Sequence, residues 1–390
     1  MTTQRPSHIL PVIVLSQFAG TSLWFASNAV LSDIQKALHL SGTGPGAITI
    51  SVQLGFIAGT FIFALLNIAD RFSPTRVFFA CSLAGALANA GIGWLAADTS
   101  SLMGFRFLTG FFLAGIYPVG MKIAADWYEK GLGKALSYLI GALVLGTAFP
   151  YLLKGGFLHL SWQMVINGTS LMAAGGGLLM LFLVGDGPFR KRSSGFHPGT
   201  VLRIFRPADF RAVTIGYIGH MWELYTFWAF IPVLLALHAQ YNGTHHDISL
   251  WSFLTIGIGG ISSVAGGLLS QKFGSGRIAF YSLLGSGICC CCCYFMMQAP
   301  TPVFLLFLLL WGAAVTPDSP QFSTLVAQFA PADNKGTALT LVTSIGFAIT
   351  ITSLELVGWL FHHYNSPLVF LILAIGPAMG LRALYKSSTL

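Results

Sequence analysis

The sequence predicts an all-α membrane protein with twelve transmembrane helices, arranged as two six-helix bundles. Three observations support this fold class. The 390 residues are 55% hydrophobic and only 8% charged, whereas an ordinary soluble domain carries about 25% charged residues. The apolar residues gather in runs of membrane-spanning length, and the basic residues gather in the loops on one side. Short sequence patterns also repeat between the two halves of the chain.

A membrane-spanning helix needs about 20 predominantly apolar residues. The chain contains twelve such runs, which we number as spans one to twelve: 9–31, 44–66, 75–95, 101–125, 133–153, 162–184, 210–237, 249–270, 277–297, 302–328, 335–360 and 366–385. The short polar lead before span one does not resemble a cleaved signal peptide. The longest polar connection lies between spans six and seven. We therefore expect an N-terminal bundle over 1–185, a cytoplasmic linker over 186–209 and a C-terminal bundle over 210–390.

The basic residues orient this layout. Of the 20 lysine and arginine residues, all but three fall on one side; Lys36 and Lys154 lie in loops on the other side, and Arg106 lies inside span four. Basic loops mark the cytoplasmic side of a membrane, so we expect both termini in the cytoplasm and a multi-pass protein of the cell inner membrane. The net charge of +8 then reflects orientation, and we expect no nucleic acid partner.

Two loops on the basic side repeat between the halves. The stretch Asp70–Arg76 after span two is matched by Gln271–Arg277 after span eight, with Arg71 and Lys272 at an offset of 201 residues (272 minus 71). The stretch Lys130–Leu136 is matched by Lys335–Leu339 at an offset of 205 (335 minus 130). Nearly equal offsets at equivalent loops indicate an internal duplication of a six-helix unit.

The loop after span two and the start of span four resemble motifs of the major facilitator superfamily. Asp70, Arg71 and Arg76 stand where that family has its loop signature, although the signature glycines are replaced. The stretch Leu102–Gly110, with Arg106 inside it, is similar to the family's motif in helix four, which is associated with proton coupling. The resemblance covers nearly the whole chain. It implies the major facilitator fold and secondary transport by alternating access between the two bundles.

Span seven carries Glu223 and His220 in the middle of a long apolar run. Ionisable groups at this depth are costly and point to a cavity or a partner. Residues three apart share a helix face, and buried carboxylates and imidazoles exchange protons near physiological pH. The two residues are therefore candidates for proton coupling and substrate binding. The structural alternative is a His–Glu hydrogen bond that locks span seven to a neighbour.

Asp318 and Arg106 are the other ionisable candidates inside spans. Asp318 lies between Pro317 and Pro320, which should break span ten where it lines a cavity. This carboxylate can bind substrate, carry a proton, or cap the restarted helix. Arg106, in the outer third of span four, can bind an anionic substrate or act on a nearby acid, or it can snorkel to the interface. A milder break is expected at Tyr117, before Pro118.

Further candidates for substrate binding come from span one and from aromatic residues. Span one offers Gln17, Trp24 and Asn28, and Gln17 aligns with His220 at an offset of 203 (220 minus 17). An aromatic cavity wall can form from Trp24, Trp222, Tyr225, Trp228 and Trp311; lipid-facing or packing roles are the alternative. Tyr117, at the milder break of span four, is a further substrate-binding candidate.

The charged loops are candidates for gating. The resemblance implies that Asp70, Arg71 and Arg76, with Lys272 and Arg277, brace the bundles in the outward-open state and release on inward opening. The plain alternative is that they anchor the cytoplasmic loops. Glu355, in the outer third of span eleven, can gate the other side or be solvated at the interface.

The cysteines do not indicate a metal or a disulfide. Cys289 to Cys293 are consecutive, so on a helix they point in different directions, and buried cysteine behaves as a small hydrophobic residue. We expect no metal site and no cofactor. The sequence shows no nucleophile–base pair of the kind that would indicate an enzyme.

We therefore expect a secondary active transporter that takes up a small organic solute, including an anionic one, by proton-coupled symport. The drug–proton antiporters' glycine-proline pattern near the end of span five is not reproduced, which favours symport. Proton-driven efflux of a small molecule or drug is the alternative. A non-transporting sensor is the alternative from another class, but no large signalling extension is seen. The expected partners are the substrate, protons and the lipid bilayer, and we expect a monomer.

Overall fold

The computed structural model describes residues 6–40, 44–128, 131–156, 158–190, 204–330 and 335–388. Every regular element in these ranges is a helix. Eleven helices in the described part are long and apolar enough to cross a membrane, and the shorter apolar helix Ile9–Thr21 begins span one. The prediction of an all-α, multi-pass membrane protein is confirmed. Of the basic residues in the expected linker, Lys191, Arg192 and Arg203 lie outside the described residues.

The helices follow the predicted spans closely. The first six spans are Ile9–Thr21, Ala26–Ala29 and Leu31–Ala37 (span one), Pro45–Leu65 (two), Pro74–Trp94 (three), Thr99–Leu113 with Tyr117–Trp127 (four), Leu132–Lys154 (five) and Trp162–Leu183 (six), with a short helical turn Ile68–Arg71 between spans two and three. The other six are Ala208–Asn242 (seven), Ile248–Phe273 (eight), Ser275–Met296 (nine), Thr301–Ala314 with Asp318–Phe329 (ten), Lys335–Tyr364 (eleven), and the 3-10 helix Pro367–Ala374 with Ile375–Tyr385 (twelve). Prolines at the first turns of several helices fit their fixed φ and missing N–H group.

Spans one, four and ten are interrupted inside the membrane region. Span four breaks between Leu113 and Tyr117, and span ten breaks between Ala314 and Asp318. A proline lies at the restarts of spans four and ten, because it can begin a helix but cannot continue one. The two breaks begin 201 residues apart (315 minus 114), which is the offset of the repeated loops. The expected break in span ten is confirmed, and span four breaks as fully.

Spans one to six form one set of packed helices and spans seven to twelve form another. The two sets meet mainly where span five packs on span eight and where span two packs on span eleven. Span five packs closely on span eight at Gly141, where an added Cβ would lie 2.9 Å from the carbonyl oxygen of Gly260. Small residues at such crossings allow helix backbones to come close together in a membrane.

Both described ends of the chain lie on one face. His8 Nε2 is 3.2 Å from the carbonyl oxygen of Leu183 at the end of span six. The hydroxyl of Ser388 donates to Asp209 at the start of span seven. We call this face, which carries most of the lysine and arginine residues, the basic face. The face with the loop between spans five and six is the opposite face.

The two sets are hydrogen-bonded to each other at the opposite face. The backbone N–H of Gly156 donates to Asp247 Oδ2 at 2.8 Å, while Asp247 Oδ1 caps span eight by accepting from the N–H of Leu250 at 2.9 Å. Lys154 forms an ion pair with Asp33 beside this contact. One hydrogen bond, from Gly156 to Asp247, therefore joins the two sets at the opposite face.

Candidate functional site

A narrow cavity lies between the two sets of helices, and in this conformation it has room for about one water molecule. Spans four and ten contribute to its wall from the segments around and after their breaks, so the interruptions shape the cavity. Span seven contributes a stripe at helical spacing. The lining residues are Tyr117, Ile140, Leu143, Val144, Tyr217, Met221, Leu224, Tyr225, Trp228, Thr316, Ser319 and Phe347.

An aromatic cluster of Trp24, Phe56, Tyr225 and Phe347 joins the two sets beside this cavity. The ring centroid of Trp24 is 5.7 Å from that of Tyr225 and 5.7 Å from that of Phe347. Phe56 lies 4.4 Å from Phe347. Two members come from the first set and two from the second, so any separation of the sets at this level must part these rings.

His220 and Asp318 form a buried pair between spans seven and ten. His220 Nδ1 lies 3.0 Å from Asp318 Oδ1, and both side chains are 1% exposed. His220 Nε2 has no hydrogen-bond partner among the described residues. The pair adjoins the cavity, because Tyr217 and Met221 beside His220 and Ser319 beside Asp318 line it. The sequence pattern did not predict this pairing, since it paired His220 with its neighbour Glu223.

Asp318 begins the second segment of span ten, with Pro317 at the N-cap position and no side-chain capping bond. The structure therefore does not show the capping role that the sequence left open for Asp318. Asp318 nevertheless lies in the first helical turn, where the helix dipole favours a negative charge. The break in span ten thus places a carboxylate against the imidazole of span seven.

Glu223 does not line the cavity, so its position does not support the substrate-binding role expected from the sequence. Its carboxylate is fully buried and accepts three bonds from spans nine and ten: Trp311 Nε1 at 2.6 Å, Ser286 Oγ at 2.8 Å and Cys290 Sγ at 3.3 Å. Residues three apart on a helix differ by about 60° in direction, which is enough for Glu223 and His220 to meet different neighbours. Glu223 therefore ties three helices of the second set together.

Arg106 is buried completely and serves the break in span one. Its guanidinium donates to the carbonyl oxygen of Leu23 at 3.0 Å and to that of Trp24. These carbonyls lie between the helices that end at Thr21 and begin at Ala26, so they lack helical partners. Arg106 neither lines the cavity nor reaches the interface, and the snorkelling alternative is excluded.

Three other substrate-binding candidates also lie off the cavity wall. Asn28 donates to Thr49 Oγ1 at 2.8 Å. Trp222 donates to the carbonyl of Ile372 in span twelve at 3.0 Å. Gln17 is fully buried beside Gly120, and its amide has no hydrogen-bond partner within the described part of the chain. Tyr117, Tyr225 and Trp228 are the sequence candidates on the cavity wall.

The expected gating residues form no described contact between the two sets. Asp70 Oδ1 is 2.7 Å from Lys122 Nζ at the end of span four, inside the first set. Arg190 donates to the carbonyl of Phe72 in the same loop at 2.6 Å and to Asp186 at 2.7 Å. The start of the connection between spans six and seven is thereby fixed to the loop after span two.

The remaining gating candidates are exposed on the surface. This holds for Arg71 and Arg76 after span two, for Lys272 and Arg277 after span eight, and for Glu355 in span eleven. None of them has an ion pair with another described residue. Lys272 lies over the ring of Phe273, with Nζ 5.2 Å from its centroid.

The five consecutive cysteines point in different directions, as expected for a helix. Cys290 and Cys293 are buried and Cys291 is exposed. Cys290 donates to Glu223, a role that the sequence did not indicate. Within the described residues, no group of three histidine, cysteine or acidic side chains is placed to hold a metal ion.

The sequence also missed much of the cavity wall. Ile140, Leu143 and Val144 of span five and Phe347 of span eleven carry no polar signal, so they look like ordinary membrane residues. The duplication offered one clue, because Trp24 and Tyr225 are 201 residues apart (225 minus 24) and meet at the interface. The pairing of Lys122 with Asp70 is a long-range contact that carries no local sequence signal.

Comparisons with known proteins agree with this architecture. A family model described as Major Facilitator Superfamily matches residues 13–222 and again 213–387. The proton:xylose symporter XylE of E. coli, bound to 6-bromo-6-deoxy-D-glucose, superposes with a TM-score of 0.76 at 15% identity over 98% of this chain and 96% of that chain. The human organic anion transporter TETRAN gives a TM-score of 0.72 at 16% identity over 97% of this chain and 100% of that chain. At these identities the likeness shows the fold.

One curated relative matches part of the sequence. An uncharacterised transporter of Schizosaccharomyces pombe is 28% identical over 167 residues, which is 40% of this chain and 31% of the relative. The match thus spans less than a third of that relative's length.

Proposed function

Since the chain belongs to the Major Facilitator Superfamily, we propose that it is a proton-coupled symporter that takes up a small organic solute across the cytoplasmic membrane. Membership and fold support secondary transport of a small molecule by a multi-pass membrane protein. The observation that carries the finer proposal is the buried His220–Asp318 pair beside the cavity between the two sets of helices.

The pair is suited to holding one proton. With one shared proton, His220 and Asp318 are either an ion pair or two neutral groups, and in both cases their net charge is zero. Loss of that proton leaves an uncompensated negative charge at a site that is 1% exposed, which is strongly unfavourable. The proton can therefore leave only when the site opens to water, and opening is the step that also releases the solute.

The solute site in this proposal is the cavity wall of Tyr117, Tyr225 and Trp228 with its neighbours. Span seven links the two sites mechanically, because one side of the helix lines the cavity and an adjacent side carries His220. Glu223 is a second candidate for the proton, although its three donors from spans nine and ten favour a structural role. We propose that Arg106 supports transport indirectly, because its bonds to the carbonyls of Leu23 and Trp24 hold span one in its interrupted shape.

Alternating access requires different contacts on the two faces. In this conformation Asp247 joins the sets on the opposite face, and Asp70 is paired within the first set. We infer that the protein is closed toward the outside, with the brace on the basic face released. The sets 1–185 and 210–390 are proposed to move as two bodies joined by the linker 186–209, with the charged loops after spans two and eight bracing the outward-open state.

Proton-driven efflux is the second candidate function. The largely apolar and aromatic cavity wall suits a hydrophobic compound as well as a nutrient. The absence of the antiporter pattern in span five keeps symport ahead. The direction follows from whether a solute moves with or against an imposed proton gradient.

The test uses purified protein in proteoliposomes. A solute found by a thermal-stabilisation screen is labelled, and its accumulation is measured with and without a pH gradient. Asp318→Asn is expected to abolish gradient-driven accumulation while it keeps exchange of labelled for unlabelled solute, because exchange needs no net proton movement. Asp209→Asn, a carboxylate at the start of span seven that bonds to Ser388, is the matched control. Undiminished gradient-driven accumulation by Asp318→Asn would remove the proposed role of the pair.

A further inference from the structure

The cavity wall contains no charged side chain. Its twelve lining residues include three tyrosines, one tryptophan, one serine and one threonine, and the rest are apolar. An ionic ligand would leave water for this wall without a counter-charge, which is costly. The wall therefore suits a ligand with no net charge.

The nearby charged groups already have partners. The guanidinium of Arg106 is occupied by the carbonyls of Leu23 and Trp24. His220 and Asp318 face each other at 3.0 Å, so their charges compensate each other when both are ionised, although His220 Nε2 and Asp318 Oδ2 have no partner among the described residues. A carboxylate or phosphate in the cavity would have to compete with Asp318 for His220, which gives little net advantage.

Two buried donors at the cavity lack acceptors. Trp228 lines the cavity and is 1% exposed, and Trp24, which packs on the lining rings of Tyr117, Tyr225 and Phe347, is 0% exposed. Neither indole Nε1 has a hydrogen-bond partner among the described residues. An indole N–H can only donate, and buried donors are normally satisfied. A ligand in the cavity that carries acceptor atoms would complete the bond of Trp228, which lines it.

The wall also provides flat faces. Trp24 stacks on Phe347 with an interplanar angle of 22°, and Tyr225 lies 5.3 Å from both Phe347 and Trp228. Aromatic side chains bind other rings through stacked or edge-to-face contacts. We propose that this wall, once the two sets of helices have parted, binds an uncharged, ring-shaped molecule that carries oxygen or nitrogen acceptors, and that it discriminates against anions and cations of the same shape. This deepens the proposed function, on which it rests.

The sequence suggested an anionic solute among others because of Arg106, and the pairing of that residue removes the reason. An aromatic wall can also hold a cation through cation–π contacts. The indole N–H donors oppose this, since their positive ends would face the cation. The experiment must therefore distinguish binding of a cation from binding of a neutral ligand.

Three probes of the same size separate these cases: 4-hydroxybenzamide is neutral, 4-hydroxybenzoate is an anion and 4-hydroxybenzamidine is a cation at pH 7. Binding to the purified full chain is measured by isothermal titration. We expect the amide to bind at least about tenfold more tightly than either ion, because each ion leaves water for a wall that offers no counter-charge. Tighter or equal binding of the benzoate or the benzamidine overturns the proposal, as does the absence of saturable amide binding by about 10 mM, a concentration well above the millimolar range of weak ligands.

The variants test the donors. Trp228→Phe keeps a ring and removes the N–H, and it should weaken amide binding about tenfold. Tyr225→Phe serves as a second variant if Trp228→Phe does not fold. Trp359→Phe, at a position that is 53% exposed, should bind like the wild type. Amide binding without any flux in proteoliposomes would refute transport and leave this inference standing, whereas gradient-driven flux of the benzoate would refute the inference and leave transport standing.

Discussion

Replacement of Glu223 tests whether the most deeply buried acid of span seven is a structural tie or a proton carrier. Its carboxylate accepts bonds from Trp311, Ser286 and Cys290. Hydrogen bonds between helices in a membrane contribute about 0.6 kcal/mol each, so the three contribute about 2 kcal/mol together. Glutamine can keep the bond from the Trp311 indole through its carbonyl oxygen and donate to the Ser286 hydroxyl. We expect Glu223→Gln to lower the free energy of unfolding by about 1 kcal/mol or less.

Leucine at the same position should be far more damaging. Glu223→Leu loses all three bonds and leaves the indole N–H of Trp311 buried without an acceptor, which adds about 1–3 kcal/mol. The expected total is about 3–5 kcal/mol. Unfolding is followed by tryptophan fluorescence as SDS is titrated into mixed micelles. Glu355→Gln, an exposed carboxylate in span eleven, is the control and should change little.

The two readouts of this experiment refute different parts of the reasoning. If Glu223→Gln is as destabilising as Glu223→Leu, the bonding pattern described for the carboxylate is wrong. If Glu223→Gln is stable but loses gradient-driven solute accumulation, Glu223 carries the coupled proton and the His220–Asp318 pair does not do so alone. Normal accumulation by Glu223→Gln together with its loss in Asp318→Asn supports the assignment made above.

Three further predictions concern packing and conformation. Asp247→Ser keeps a capping hydroxyl but is too short to reach Gly156, so closure of the opposite face should weaken by about 1 kcal/mol. Distances between spin labels on that face should then report a larger open population, and an unchanged distance distribution would contradict the role of the Asp247 contact. Arg106→Met should cost about 2 kcal/mol or more in SDS unfolding because two carbonyls of the span-one break lose their donor; wild-type stability would argue against this role. Gly219→Ala should prevent folding to a monodisperse protein because the methyl group would overlap the backbone of span twelve. Gly175→Ala is the control and should behave as the wild type, because an added Cβ there would have no atom within 4 Å. Equal yields of the two variants would show that the crossing of spans seven and twelve adapts.

The fold was predictable because a membrane imposes a simple rule on the sequence. Each span needs a long apolar run, and basic loops mark the cytoplasmic side. The distribution of apolar and basic residues along the chain therefore predicts the number and orientation of the spans. The break in span ten was predictable from Pro317 and Pro320. The three-part course of span one was not, because no proline marks it. It depends on Arg106, which lies more than 80 residues further along the chain.

The candidate site was predictable as a set of residue types and not as a set of contacts. The sequence identified His220, Asp318 and Glu223 because ionisable residues are rare in apolar runs. It could not tell that Asp318 would meet His220, since that contact depends on how spans seven and ten pack. The apolar part of the cavity wall, including Phe347, had no distinguishing signal. Its position follows from the crossing of spans two and eleven, which is a tertiary property.

The dependence of span one on Arg106 has a consequence for biogenesis. The carbonyls of Leu23 and Trp24 enter the bilayer during synthesis well before span four has been made. Without a donor, each exposed carbonyl would cost several kcal/mol in the hydrocarbon region. A nascent chain that ends before Arg106 is therefore more stable with span one as a continuous helix. We therefore expect the interruption to form during assembly, when the guanidinium docks, so that the first transmembrane helix acquires its final shape only after the fourth has been inserted.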